Sequence, residues 1–454
     1  MKRIISMLCG LISLAACTPR LAAPVVDVPR GYRFIGSFSA DSPALLQRWW
    51  ELFGDTTLNR LVERALEQNK DLQISLSRVA EAREQIRSAR AEYLPSVAME
   101  TSAEADYNRT QKITQQYGLT PTLSWEIPLF GQLRHATMAA RSAWQAEVWN
   151  HRGVELSLAA EVATAYFTLR QYERDLTIAR TTFRLRSETA ALIDSMYRYG
   201  MSSGVDREQS YGLVYSAQAD IPRYRSAIDR MQLSLNLLLG DIPQQEVAEG
   251  DGVELLVDSQ PANLPVGIPS ELLQRRPDLM EAYYTLQQAA AEAGVARSVR
   301  FPSISLTASG GFGSEALKEL ARARSAVWSV TGSIVKPIFN FGALRSEERQ
   351  AVERYNQAAI SYEQAVLTAF SEVEDALSQI EANRAQVDRY GELVDSYQQI
   401  VMMAHALYRS GMVNYLDLID AERTLYTAQM QWVDLLAQQY INYVSLCKAL
   451  GGGW

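Results

Sequence analysis

The chain has 454 residues and a formal net charge of -8, from 44 Lys and Arg against 52 Asp and Glu. That balance excludes a nucleic-acid binder, which needs a basic face. Its 3 Cys are too few for a disulfide framework, and its 3 His (His135, His151 and His405) stand at no metal-ligand spacing, so neither a metal nor a cofactor is expected.

Residues 1–16 read as a secretory signal peptide, with Lys2 and Arg3 ahead of an apolar core from Ile4 to Leu14 that is too short to span a bilayer. Leu14-Ala-Ala-Cys17 resembles a bacterial lipobox. Cleavage there leaves Cys17 as a lipidated N-terminus, anchored to a membrane rather than threaded through it. The alternative is an ordinary cleavage site beside a chance cysteine. Residues 17–48, with Pro19, Pro24, Pro29 and Pro43, read as an extended tether.

Trp49-Trp50-Glu-Leu-Phe53 opens a first repeat over 49–240, and a helical pattern follows to Tyr93, closed by Leu94-Pro95. The period then changes to two. Val97, Met99 and Thr101 alternate with Ala98, Glu100 and Ser102, and Leu119, Leu123 and Trp125 with Thr120, Thr122 and Ser124, so strands are predicted at 96–107 and 119–128. From Gln132 the helical period runs to Tyr199 without a proline. Such a helix is roughly 100 Å long, which points to a coiled-coil or tubular arrangement. A second helix runs from Val205 to Leu239, with a kink expected at Pro222, and 241–269, rich in Pro and Gly, reads as a linker.

The order then repeats over 270–454. Leu66 to Leu72 matches Leu273 to Leu279, and Pro95-Ser96 recurs as Pro302-Ser303. Strands are predicted at 303–312 and 327–337, a long helix from Ala343 to Arg409, and a last helix from Leu416 to Leu450. Each long helix ends in the same words. Tyr197-Arg-Tyr-Gly-Met-Ser-Ser-Gly-Val-Asp206 returns as Tyr408-Arg-Ser-Gly-Met-Val-Asn-Tyr-Leu-Asp417, about 211 positions later. Gly200 and Gly411 suit a left-handed helix stop, and Ser203–Asp206 and Asn414–Asp417 resemble capping boxes. Each copy reads as the tip of a helical hairpin.

The strands have the alternation and length of tilted membrane strands. Four of them cannot close a barrel, and an open edge is not tolerated in lipid. Several chains must pool their strands; three give about twelve, enough to enclose water. The expected fold is mostly α with a small β-barrel, built from a duplicated unit and working as a homotrimer.

With Trp49-Trp50, Leu273-Leu-Gln-Arg-Arg-Pro-Asp-Leu279, Phe301-Pro-Ser-Ile-Ser-Leu306, Pro337-Ile-Phe339, Asp420-Ala-Glu-Arg423 and Lys448-Ala-Leu-Gly-Gly-Gly-Trp454, the chain resembles the TolC-like outer membrane factor family. The likeness covers nearly all of the mature chain. The chain resembles in particular the lipid-anchored members that serve resistance-nodulation-division (RND) efflux pumps. The resemblance implies a trimeric outer-membrane barrel on a periplasmic helical tunnel, docked on a periplasmic adaptor of an inner-membrane transporter. It implies a passive exit duct, not an enzyme. On the tips it assigns Gly200, Met201, Gly411 and Met412 to adaptor docking, and Asp417, Asp420, Tyr408 and Asp206 to a periplasmic gate. Asp206 and Asp417 fit helix capping equally well, and each glycine also fits a plain helix stop. Some relatives carry an arginine latch two positions after the glycine; Ser202 and Val413 stand there in this chain, so a latch of that design is not expected. A duct for protein or peptide secretion and a periplasmic coiled-coil scaffold are the competing readings.

Overall fold

The computed structural model describes residue 29 and residues 31–35, 48–108, 112–243 and 269–452. The expected signal peptide, Cys17, and most of the tether and linker lie outside them. After a 3-10 turn at Trp49–Phe53, the first half runs α1 (Thr56–Gln68), α2 (Lys70–Ala91), β1 (Ser96–Asn108), β2 (Lys112–Ile127), α3 (Gln132–Arg198) and α4 (Gly204–Leu239). The second half runs α5 (Pro269–Arg275), α6 (Pro277–Ser298), β3 (Ser303–Ser314), β4 (Ala326–Val335), α7 (Ala343–Arg409) and α8 (Tyr415–Ala449). Among the described residues no helix is long and apolar enough to cross a membrane.

Three expectations need correction. The helical pattern leading to Tyr93 is two helices, because Asn69 both ends α1 and starts α2. Its N–H donates to Ala65 O at 2.9 Å, while its Oδ1 accepts from the Leu72 N–H at 3.0 Å. Strand β2 begins at Lys112 rather than 119: pairing with β1 continues through Gln115 and Gln116, whose polar side chains conceal the alternation. Strand β4 ends at Val335 rather than 337, since Pro337 has no N–H for a ladder.

The four strands form one antiparallel sheet in the order β1-β2-β3-β4. Register gives it two unlike faces. Val97 faces Leu123, Trp125 faces Leu306, Ile127 faces Ile304 and Ile304 faces Ile334 on one side. The other side carries Glu100, Thr122, Ser124 and Thr307, with Ser305 hydrogen-bonded to Ser333 at 2.7 Å and Ser309 to Ser329 at 2.8 Å. Pairing between β2 and β3 lapses at Thr120 and Pro121, opposite Gly310 and Gly311. A Cβ on Gly311 would lie 2.1 Å from Leu119 O, so only glycine allows the strands to meet there.

The chain forms two compact units. One holds the sheet with residues 76–150 and 280–365. The other holds Asp27–Ser75, His151–Leu279 and Val366–Trp454, so both tips belong to it. Its core is anchored by aromatic contacts: Phe53 meets Phe167 at 5.1 Å, and Phe167 stacks on Tyr440 at 4.7 Å. Asp55 caps α1 by accepting from the Thr57 and Leu58 N–H groups and also accepts from the Tyr166 hydroxyl at 2.5 Å. Buried Arg276, from the Arg-Arg-Pro-Asp stretch, donates to Asp278, to Glu372 at 2.6 Å and to Ala449 O at 3.0 Å. A buried guanidinium with each of these acceptors is compensated for its lost hydration. Cys447 is fully buried in α8, and burial pushes its thiol up to about 12.

Candidate functional site: the paired helical tips

Both long helices stop by the same backbone device. At the first tip the Met201 N–H donates to Met196 O at 2.8 Å and the Gly200 N–H to Tyr197 O at 2.9 Å, with Gly200 at φ 72°. At the second, the Met412 N–H donates to Leu407 O at 2.9 Å and the Gly411 N–H to Tyr408 O at 3.0 Å, with Gly411 also at φ 72°. This is the Schellman closure, which satisfies helix-end carbonyls and requires a left-handed residue after the cap. The turns leave matched apolar side chains in solvent: Met201 with Met412, and Val205 with Leu416.

The restarts differ. Ser203 Oγ accepts from the Asp206 N–H at 3.1 Å, and Asp206 Oδ2 accepts from the Ser203 N–H at 3.2 Å, a complete capping box for α4. Ser202 Oγ adds a second donor to the same carboxylate at 3.3 Å. On α8, Asn414 Oδ1 accepts from the Asp417 N–H at 3.0 Å, but the Asp417 carboxylate returns no bond to the cap residue. Asp417 and Asp420 are exposed. They begin an exposed polar line along α8 that continues through Arg423, Thr427, Gln431, Asp434 and Gln438, spaced three or four residues apart as one helix face requires.

Tyr408 is not on that line. It is buried with Tyr415, Leu418, Ile419 and Ile193 of α3, its ring 5.6 Å from that of Tyr415. Burial raises both phenols above their ordinary range, opposed by the neighbouring Ser202 hydroxyl at Tyr408 and the Ser210 hydroxyl at Tyr415. The two hairpins therefore share one core, and Met196, Ser202, Tyr408 and Val413 line a shallow cleft between the tips.

A tie that sequence reading overlooked holds the first hairpin. Asp194 in the last turns of α3 accepts from Arg207 of α4 at 2.8 Å and pairs with Arg198 at 2.6 Å. The hydrogen bond from Arg207, helped by Arg198, holds its carboxyl below the usual range. The Arg207 guanidinium lies over the rings of Tyr197 and Tyr211. The Asp194–Arg198 spacing of four was a visible signal; Arg207 lies across the turn and was not. His405 on α7 pairs with Glu422 on α8 at 3.1 Å. Among the described residues no group of three or more His, Cys, Asp or Glu could hold a metal ion.

A duplicated chain with a two-faced antiparallel sheet and paired helical tips defines an outer-membrane channel of the efflux class. The chain belongs to the outer membrane efflux protein family, whose model matches residues 61–241 and 268–452. The cation efflux system protein CusC of Escherichia coli O157:H7 is 31% identical over 98% of this chain and 98% of its own. The antibiotic efflux pump outer membrane protein ArpC of Pseudomonas putida is 32% identical over 100% of this chain and 96% of its own. The solved outer-membrane channel OprN superposes with a TM-score of 0.86 at 27% identity, covering 96% of this chain and 99% of that one.

Proposed function

We propose that the chain works as a homotrimer and forms the passive exit duct of a tripartite pump, taking small toxic compounds from the periplasm to the exterior. The observation that carries this reading is the sheet: one apolar face, one polar face, and two edge strands, β1 and β4. In lipid such edges must be paired and such faces must divide hydrocarbon from water. Three copies supply twelve strands. The resemblance adds a periplasmic adaptor and an RND transporter as partners and a lipid anchor at Cys17. Energy comes from the inner-membrane transporter, and the duct itself performs no chemistry.

In this reading Gly200, Met201, Gly411 and Met412 present the apolar docking points, and Asp417 and Asp420 line the gate as two acidic rings that favour cations. Asp206 serves as a cap and Tyr408 as packing behind the gate. CusC is named for cations and ArpC for antibiotics; for this chain we assign organic toxicants. The test is a deletion strain carrying the cognate pump. Loss of the chain should raise accumulation of a dye such as ethidium and leave silver tolerance unchanged. A change in silver tolerance alone would reverse the substrate assignment. Absence of a heat-modifiable trimer in outer-membrane fractions would overturn the oligomer.

A further inference from the structure

Arg276 and Arg186 are both buried in the unit that holds the tips, at 6% and 5% exposure, but they are served differently. Arg276 has Asp278, Glu372 and Ala449 O as acceptors. Arg186 on α3 reaches only Leu213 O, at 3.4 Å, and its Nε is enclosed without a hydrogen-bond partner. Its guanidinium lies over the Tyr426 ring at 5.4 Å. The nearby acids are engaged elsewhere: Glu422 pairs with His405 at 3.1 Å, and Asp220 with Arg223 at 2.9 Å and the Tyr426 hydroxyl at 2.8 Å. Burial accordingly lowers the Arg186 guanidinium from its ordinary range, opposed by the field of Glu422, Tyr426 and Asp220. An enclosed cation with no anion in contact is destabilising until something supplies the acceptors.

Arg186 lines a cavity of about 240 Å³ between α3 of the first hairpin and α7 and α8 of the second. Ile178, Leu185, Val401 and Leu425 give it apolar walls. Arg174 adds a second guanidinium to the lining, against the single carboxylate of Glu422, so the excess charge is positive. Thr181 and Leu185 are exposed and mark its mouth. Drug-sized ligands take about 300–1,000 Å³; the occupant of this cavity is smaller, with a body of one or two rings.

We propose that this cavity binds a small organic anion, an aromatic carboxylate of one or two rings, whose carboxylate supplies the acceptors that Arg186 lacks. A guanidinium and a carboxylate make a charge-assisted pair, stronger than a neutral hydrogen bond, and the apolar walls take the rings. Such a ligand touches both hairpins at once, α3 on one side and α7 and α8 on the other. It therefore stabilises the arrangement in which the cavity exists against any in which α8 slides along α3. Bound, the anion acts as a brake on the second hairpin. The brake rests on the duct reading; the binding does not.

The experiment is calorimetric titration of the full-length protein in lipid nanodiscs with 2-naphthoate. The controls are 2-naphthylmethanol and 2-naphthylmethylammonium, which keep the rings and change the charge. 2-Naphthoate should bind once per chain, at least about tenfold tighter than either control. Arg186→Gln should weaken it at least about tenfold, and Glu422→Gln, which removes the opposing charge, should tighten it about threefold. Thr181→Trp, at an exposed position, should block the mouth and abolish binding with Arg186 intact, which keeps the test decisive if Arg186→Gln does not fold. Equal affinity for the three probes, or 2-naphthoate binding unchanged in Thr181→Trp, would overturn the site. For the brake, 2-naphthoate at saturation should lower the open fraction of the channel in planar bilayers at least about threefold and leave Thr181→Trp unaffected. Binding without that change would overturn the brake and leave the site standing. A protein that binds 2-naphthoate and forms no channel would overturn the duct reading and leave the site standing.

Discussion

At the first tip Asp194 ties Arg198 and Arg207 across the turn, whereas the matching positions of the second tip hold His405, Arg409 and Leu418. There Tyr408 packs against Tyr415 and Leu418, and the one polar tie between α7 and α8 named above is the His405–Glu422 pair. The backbone stops are the same; what closes each hairpin is not. An ionic tie with fixed donors specifies one geometry. Apolar packing is non-directional and survives a small slide. If the proposed duct opens at its tips, the first hairpin is the fixed post of this reading and the second, where Asp417 and Asp420 are exposed, its moving element.

The largest effect is expected from Gly411→Pro. Proline fixes φ near −65°, and the site needs 72°. Efflux should fall to the level of a deletion strain while the trimer still assembles, as measured by dye accumulation and by outer-membrane trimer yield. Gly411→Ala is the milder form: a Cβ there meets nothing within 4 Å, so only left-handed strain of about 1 kcal/mol is added. Normal pumping by the proline variant would show that the second tip is not the working one.

The next test addresses the boundary between the hairpins. Asp175 on α3 is buried, with Oδ1 unpaired in a buried position, and faces Asp434 on α8 and Arg223 and Tyr224 on α4. Burial, reinforced by Asp434 and opposed by Arg223, raises its carboxyl to about 7. A carboxyl raised on folding lowers stability as pH climbs from its unfolded value to its folded value. The chain should therefore lose a few kcal/mol, at about 1.4 kcal/mol per unit, between pH 4 and about 7, with no further loss above that. In Asp175→Asn this slope should vanish, as read from the melting temperature of the detergent-solubilised protein. An unchanged slope would place the titrating group elsewhere.

Asp194→Asn should produce a smaller and local change. Hydrogen exchange should quicken at the end of α3 and the start of α4 and stay unchanged at the end of α7. Because the Asp194 carboxyl is depressed, its contribution is present above the ordinary carboxylate range and lost as pH falls through the lowered value. Acid should thus loosen the wild-type first hairpin toward the exchange rate of the variant. Equal quickening at both tips would erase the distinction between post and moving element.

Most of the fold was legible because its signals are long or repeated. The second long helix was read from Ala343 to Arg409, as observed, since Val352, Tyr355, Ala359, Tyr362, Val366, Phe370, Val373, Leu377 and Ile380 recur about every 3.5 residues. The break at Asn69 was not legible, because the side chain that makes it bonds to Leu238 O far along the chain. The start of β2 was hidden by Gln115 and Gln116. At the tips, the glycines, the Ser203–Asp206 box and the Asn414 cap followed from residue types with one dominant local use, but the reciprocal half of a box at Asp417 did not form. The burial of Tyr408 depends on Ile193 and Ser202 arriving from the other hairpin, and nothing within the repeated ten residues records that.

The smallest effect separates the two acids that the sequence left undecided. Asp206 returns a bond to its cap residue; Asp417 does not. Asp206→Ala should therefore cost the stability of a lost reciprocal cap, about 1 kcal/mol. Asp417→Ala should cost only the charge–dipole contribution, a few tenths of a kcal/mol. Conduction should order them the other way. Asp417→Ala should weaken the cation preference of the reconstituted channel in planar bilayers, and Asp206→Ala should leave it unchanged. If both variants lost stability alike and neither altered ion preference, Asp417 would be a cap like its counterpart. The exposed line on α8 would then begin at Asp420.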